Sequence, residues 1–317
     1  MRVATLIKSM DNSTENVTPD ESDLFLQTVP RTYVHRAGVA EVFVTGIQQI
    51  GPDHFRLGAQ WPRSHSYYGP VARRWHDPML LAETIRQAQL LIAHQAYDVP
   101  MGHQFLSHDA THAIAPEGAR LRDRPAHVLL DVRCTDIKRR GKTVSGYVTR
   151  IDCLRDGELI GSGSMTVTCL PPNLYRRIRG SACENTPQRN LPEPVAPEAV
   201  GRHWGFDVVL GVTGVNRTWT LRADPDHPVL FDHPVDHVPG MVLMEAARQA
   251  SLAVLERPDA LAVAMDCVFD QYVEFDKTCV VTATQATPGP GGSHTVAVEF
   301  AQGGAIAATI NVTAIAS

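Results

Sequence analysis

Asp77-Pro78-Met79-Leu80-Leu81-Ala82-Glu83-Thr84-Ile85-Arg86-Gln87-Ala88 and Val238-Pro239-Gly240-Met241-Val242-Leu243-Met244-Glu245-Ala246-Ala247-Arg248-Gln249-Ala250 are two versions of one sequence. Each reads as a helix that is apolar on nearly every side, with Glu, Arg and Gln at i, i+3 and i+4 on one face. A helix apolar almost all round must be buried. A buried Glu and Arg are expensive unless they are paired or used. The first copy opens with Asp77 as N-cap and Pro78 at the first helical position, and runs to about Tyr97. The second runs from about Pro239 to Leu255.

Working outward, the first helix follows strand-like runs at Val39 to Gly46 and His54 to Gln60. It precedes four more, at Gly102 to Ala113, Ala126 to Ile137, Thr143 to Cys153 and Leu159 to Cys169. Turn signals such as Arg140-Gly141-Lys142 separate them. Residues 171–204 are rich in Pro, Arg and Glu without periodicity and read as a linker. The pattern then restarts: strand-like runs at Phe206 to Val212 and Thr218 to Ala223, the second helix, then runs at Val263 to Val268, Val273 to Phe275, Cys279 to Ala286, Thr295 to Phe300 and Ala305 to Ala316. The two Glu residues are separated by about the length of a domain. The chain is therefore expected to be a duplicated α+β unit, with repeats at 31–170 and 205–317 behind a loose arm at 1–30. A curved antiparallel sheet covering one side of each helix, and the sister repeat covering the other, accounts for helices apolar all round.

A length of 317 residues suits two domains, and a hydrophobic fraction of 44% is ordinary for a globular protein. The net charge of -5 argues against a nucleic-acid-binding surface. No apolar run is long enough for a membrane span, and the N-terminus lacks the apolar core of a signal peptide. Six scattered cysteines without a CxxC pair read as reduced thiols, so a cytoplasmic location is expected. His103, His108 and His112 give no clean ligand set, and no metal site is expected.

The second copy, from Phe231 to Ala246, resembles the hotdog-fold 3-hydroxyacyl-carrier-protein dehydratases, which pair a His before a Pro-Gly with an acidic residue on a central helix. Glu245 falls on the acidic position. Without a gap the family's His falls on Phe231, and in the first copy on Gly69. A longer resemblance spans nearly the whole chain. Val34-His35-Arg36, Arg74-Trp75-His76-Asp77-Pro78, Ala82-Glu83-Thr84-Ile85-Arg86-Gln87, Tyr175-Arg176-Arg177-Ile178-Arg179-Gly180 and Asp236-His237-Val238-Pro239-Gly240-Met241 are similar to the A-factor biosynthesis (AfsA) hotdog family. The resemblance implies a double hotdog, two central helices each wrapped by a curved antiparallel sheet. It also implies transfer of a β-ketoacyl group from acyl carrier protein to the hydroxyl of dihydroxyacetone phosphate, making a precursor of γ-butyrolactone-type signalling molecules. No cofactor is implied, and the oligomeric state stays open.

Such a transfer needs a base for the hydroxyl proton, donors for the tetrahedral oxyanion and a cation for the phosphate. Glu83 and Glu245 are the candidate bases, on the expectation that desolvation raises their pKa, while pairing with Arg86 or Arg248 would lower it and oppose an acid role more than a base role. Arg86 and Arg248 are candidate phosphate or charge partners. The helix N-terminus offers free N–H groups, and Gly240 there admits a thioester closely. Gln87, Gln249, His76, Asp77 and His237 complete the candidate binding set. The plainer reading is a structural Glu–Arg pair at i, i+3, worth about 0.2–0.5 kcal/mol on a helix surface. The repetition of the pair on apolar helices favours function, though which copy works stays open. Two further readings remain: a dehydratase or thioesterase on the same fold, and a non-catalytic acyl-ligand sensor. Arg176-Arg177-Ile178-Arg179 is either a solvated charge run or a dock for the acidic carrier.

Overall fold

The computed structural model describes residues 21–186 and 190–316. The first repeat contains β1 (Val44–Gly51), β2 (His54–Trp61), α1 (Met79–Gln95), β3 (Gln104–Ile114), β4 (Ala126–Arg140), β5 (Thr143–Arg155) and β6 (Glu158–Leu170). A short α2 (Pro172–Arg179) follows. The second repeat contains β7 (Leu210–Gly211), β8 (Thr218–Leu221), α3 (Gly240–Leu255), β9 (Leu261–Phe269), β10 (Cys279–Ala283), β11 (Thr287–Pro288), β12 (His294–Gln302) and β13 (Ala305–Ile315).

All strands belong to one antiparallel sheet, in the order β1-β2-β4-β5-β6-β3-β9-β13-β12-β10-β8-β7, with β11 paired to β12 off this path. Read from either edge inward, the two halves follow the same sequence of strands. They meet where β3 pairs with β9, from Asp109 opposite Val268 to Ala113 opposite Ala264. This is the double hotdog, with the two sheets fused into one layer.

Alternation along the strands decides which face is covered. On β4, Ala126, Val128, Leu130, Val132 and Cys134 are buried under the helix layer, while His127, Arg133 and Thr135 point to solvent. The helices are buried on almost every side because the sheet takes one face and the turns at Arg31–Val34 on α1 and Pro197–Val200 on α3 pack against another. Polar groups inside this layer are spent locally. Trp61 Nε1 donates to Thr84 Oγ1 at 2.9 Å, and Tyr147 Oη donates to the Gln89 carbonyl at 2.6 Å.

Several expectations are corrected. Residues 1–20 of the supposed arm lie outside the described residues, and the stretch from Glu21 is mostly exposed but anchored by buried Leu24 and Val29. Leu24 is buried so closely against Gly58 that a Cβ there would meet the Leu24 carbonyl oxygen at 2.3 Å. The runs at Val39 and Phe206 begin as 3-10 turns, Val39–Glu41 and Gly205–Asp207, before β1 and β7. Val273 to Phe275 is not a strand; the Val273 carbonyl instead accepts from Val238 N and pins the loop before α3. The linker contains α2 and, at Arg202, part of a buried cluster.

Candidate functional site

Glu83 and Glu245 each sit at the centre of a buried cluster, and the two clusters match atom for atom. Glu83 receives Arg36 Nε at 3.0 Å, Arg86 Nε at 3.0 Å and Nη2 at 2.8 Å, and Gln87 Nε2 at 2.7 Å. Glu245 receives Arg202 Nε at 3.1 Å, Arg248 Nε at 2.9 Å and Nη2 at 2.7 Å, and Gln249 Nε2 at 2.6 Å. The glutamines serve the backbone. Gln87 accepts from Phe43 N and donates to the Glu41 carbonyl; Gln249 accepts from Val209 N and donates to the Asp207 carbonyl.

Burial alone raises a glutamate pKa, whereas pairing with the Arg at i+3 lowers it. Burial does push it up, but Arg36 and then Arg86 overcome that and hold Glu83 at about 2. Arg202 and Arg248 hold Glu245 at about 2 in the same way. Both are carboxylates near neutral pH, tightly hydrogen-bonded and poor proton acceptors there. Arg36 and Arg202 escaped notice as partners. Their signal is a repeated spacing: Arg36 precedes Glu41, and Arg202 precedes Asp207, by the same interval before a β-strand.

The clusters differ in what lies before them. A cavity of about 340 Å³ opens between the first cluster and the start of α3. Arg36 and Arg86 form part of its wall, with Glu83 hidden behind them. Opposite stand His233, His237 and Gly240, and Leu90, Phe105, Met165 and Met244 supply apolar lining. The start of α3 has no side-chain cap, so the N–H groups of its first turn at Gly240 and Met241 border this space. The Arg86 side chain is 22% exposed, against 6% for Arg248.

At the other cluster the same place is filled. Asp77 Oδ1 accepts from Met79 N at 2.9 Å and closes the α1 N-terminus, and Asp77 is itself buried. Its charge acts on both Arg202 and Arg248, favouring their protonated forms. The Arg202 guanidinium also lies 3.9 Å from the centre of the Tyr67 ring. His76 is buried against Trp61, and burial followed by the Arg155 charge lowers its pKa to about 4. Of the residues expected from sequence, the cavity therefore gathers Arg86, His237 and Gly240. Glu83 and Gln87 stand behind its wall, while Glu245, Arg248, Gln249, His76 and Asp77 belong to the sealed side. Among the described residues no three His, Cys, Asp or Glu side chains form a metal-holding group, and no helix is long and apolar enough to cross a membrane.

Residues 17–171 and 183–317 each match the A-factor biosynthesis hotdog domain. The chain belongs to that family. Relatives named 2-oxo-3-(phosphooxy)propyl 3-oxoalkanoate synthase share its sequence at length. The protein of that name from Streptomyces virginiae is 45% identical over 86% of this chain and 92% of its own. Those from Streptomyces coelicolor and Streptomyces griseus are 37% and 35% identical, covering 88% and 86% of this chain and 88% and 90% of their own. Among solved structures, an acyl-ACP thioesterase from Bacteroides thetaiotaomicron aligns over 82% of this chain and 97% of its own, at 9% identity and a TM-score of 0.48. A 12:0-ACP thioesterase from Umbellularia californica aligns over 84% and 99%, at 12% identity and a TM-score of 0.41.

Proposed function

We propose that this family member is an acyltransferase that moves a 3-oxoacyl group from a thioester to the hydroxyl of dihydroxyacetone phosphate, on the way to a γ-butyrolactone-type signalling molecule. What carries the reading is the single name borne by relatives 35–45% identical over most of the chain, because that name states both halves of the product. The chemistry is assigned to the open cavity alone.

The parts of the cavity suit that reaction. Its apolar lining takes the acyl chain. The uncapped start of α3 presents backbone N–H groups and the positive end of the helix dipole to a thioester carbonyl as it becomes an oxyanion. Gly240 keeps that approach free of a side chain. Arg86 is the cation for the phosphate: Glu83 uses its Nε and Nη2, which fixes the guanidinium plane and leaves Nη1 for the ligand. Glu83 then acts through Arg36 and Arg86 as an anchor. The acyl carrier protein is our proposed donor. Exposed Arg176 and Arg177 on α2 give an acidic carrier a basic surface, on a helix whose Tyr175 and Arg179 already hold the loop beside the cavity.

Purified protein given a 3-oxoacyl carrier protein and dihydroxyacetone phosphate is expected to yield the phosphorylated ester by mass spectrometry. Release of free 3-oxo acid at a rate indifferent to dihydroxyacetone phosphate would instead make it a thioesterase.

A further inference from the structure

Acyl transfer to a hydroxyl requires a proton acceptor, and the glutamates are poorly suited. Glu83 does not reach the cavity wall, and its carboxylate is filled by three donor side chains. Four histidines line the cavity instead: His35, His108, His233 and His237. His108 Nε2 is taken up by Thr168 Oγ1 at 2.8 Å. His35 is spent, with its Nε2 2.9 Å from His94 Nε2. His233 rests on Asp232, but that carboxylate also accepts from Ala37 N and from Arg36. The Asp232–His233 pair thus belongs to the join between the repeats.

His237 is paired with the preceding carboxylate in the same way, but it adjoins the start of α3 and its side chain is less exposed, 28% against 41% for His233. The His237 Nδ1 lies 2.7 Å from Asp236 Oδ1, and its ring stands edge-on to Tyr272 at 4.7 Å between centroids. Asp236 is itself gripped. Tyr175 Oη donates to both carboxylate oxygens at 2.7 and 2.8 Å, and Arg179 Nε donates to Oδ2 at 3.3 Å. Arg179 is anchored in turn by Glu274 and stacks 4.2 Å from the Tyr272 ring centre. Val238 N is bonded to the Val273 carbonyl, fixing the chain between His237 and the start of α3. An ionised Asp236 makes Nδ1 the protonated nitrogen, because a carboxylate accepts and does not donate. The lone pair is left on Nε2, for which no hydrogen-bond partner is found among the described residues.

We propose that His237 is the general base of the transfer, with Asp236 as the positioning residue that fixes its tautomer and Tyr175 and Arg179 holding Asp236. This rests on the acyl-transfer reading above. His237 Nε2 takes the proton from the acceptor hydroxyl as its oxygen bonds to the thioester carbonyl carbon. The tetrahedral oxyanion forms at the α3 N-terminus. When the C–S bond breaks, the imidazolium returns the proton to the leaving thiolate, so ester and free thiol form with no other reactant. The sealed half has no counterpart: Trp75 stands at the place that matches His237, and the neighbouring His76 is buried and does not line this cavity.

The test is steady-state kinetics of the full chain with a 3-oxoacyl thioester and dihydroxyacetone phosphate. His237→Gln is expected to lower kcat by roughly 100-fold or more while both KM values stay within about threefold. Asp236→Asn is expected to give a smaller loss in kcat. Imidazole added to His237→Ala is expected to restore part of the rate. A kcat within about threefold of the parent, or a loss carried entirely by KM, would overturn the assignment. So would a loss that imidazole does not restore, or failure of both His237→Gln and His237→Asn to fold. If the parent makes no ester, the acceptor assignment fails separately. The same variants are then read on thioester hydrolysis, where water replaces the hydroxyl and the expected dependence on His237 is unchanged.

Discussion

Arg36 and Arg202 reach across the molecule in opposite directions. Arg36, from the first repeat, donates from Nη1 to the Val229 carbonyl of the second at 3.1 Å. Arg202, from the linker just ahead of the second repeat, donates from Nη1 to the Tyr67 carbonyl of the first at 2.6 Å. Arg36 also holds Glu83, and Arg202 holds Glu245. The repeats are therefore joined by two buried charged cross-links as well as by the β3–β9 seam. What stands beside each cross-link decides the site: an open cavity near Arg36, a filled interior near Arg202.

Glu245 should matter for stability before chemistry. Glu245→Gln leaves Arg202 and Arg248 buried without their main countercharge, a kind of loss that costs about 3–5 kcal/mol. Chemical denaturation should show a loss of that order, while the fraction that remains folded turns over at close to the parent rate. A folded Glu245→Gln protein with kcat abolished would return the chemistry to the second cluster.

Arg86→Met should fall chiefly on the phosphorylated acceptor. Loss of a charge-assisted contact of about 1.5–3 kcal/mol corresponds to roughly a 10- to 150-fold rise in KM for dihydroxyacetone phosphate. The KM for the thioester should change much less. Saturation curves for the two substrates separate these effects, and an equal rise in both would remove Arg86 from the phosphate.

Acid should unfold the protein through its glutamates. The folded pKa of Glu83 and Glu245 lies near 2, below the ordinary 4.5. Groups depressed in this way contribute stability that is fully present above about pH 4.5 and is lost as the pH falls toward 2. Urea midpoints taken between pH 6 and 2.5 should decline below pH 4.5, and more shallowly in Glu245→Gln than in the parent.

The apolar end of the cavity should select acyl length. Met244→Phe fills space beside Leu90 and Met165 with a ring, and should move the preference toward shorter 3-oxoacyl chains. A hydrophobic pocket discriminates by about 1–3 kcal/mol per methylene, so a graded panel of thioesters should show shifts of tenfold or more in relative kcat/KM. An unchanged profile would take the acyl chain out of this cavity.

The helices and long strands were legible in the sequence because their periodicities are local. An apolar helix with one Glu-Arg-Gln stripe has few other interpretations, and Ala126 to Ile137 alternates plainly. The short edges were less readable. Val39–Glu41 and Gly205–Asp207 are apolar enough for strands, yet their backbones turn so that the carbonyls of Glu41 and Asp207 can meet Gln87 and Gln249. The pull of Arg86 and Arg248 on the glutamates is legible at i+3, but the larger one from Arg36 and Arg202 is not, because those residues are distant in sequence from the helices. The choice between two equivalent stripes was equally hidden. The proposed choice rests on whether Asp77 or an open space stands at a helix start, a difference of the assembled fold.

The continuous seam between β3 and β9 makes both halves parts of one polypeptide, and this removes a restriction that symmetric assemblies carry. In a dimer of identical subunits, a carboxylate placed at one helix start appears at both, so neither pocket can be closed without the other. Here one helix start carries Asp77 and the matching place carries Pro239. One half can thus be tuned as a rigid keystone while its sister varies with substrate. Specificity can drift along this lineage without undermining the part of the molecule that keeps it folded.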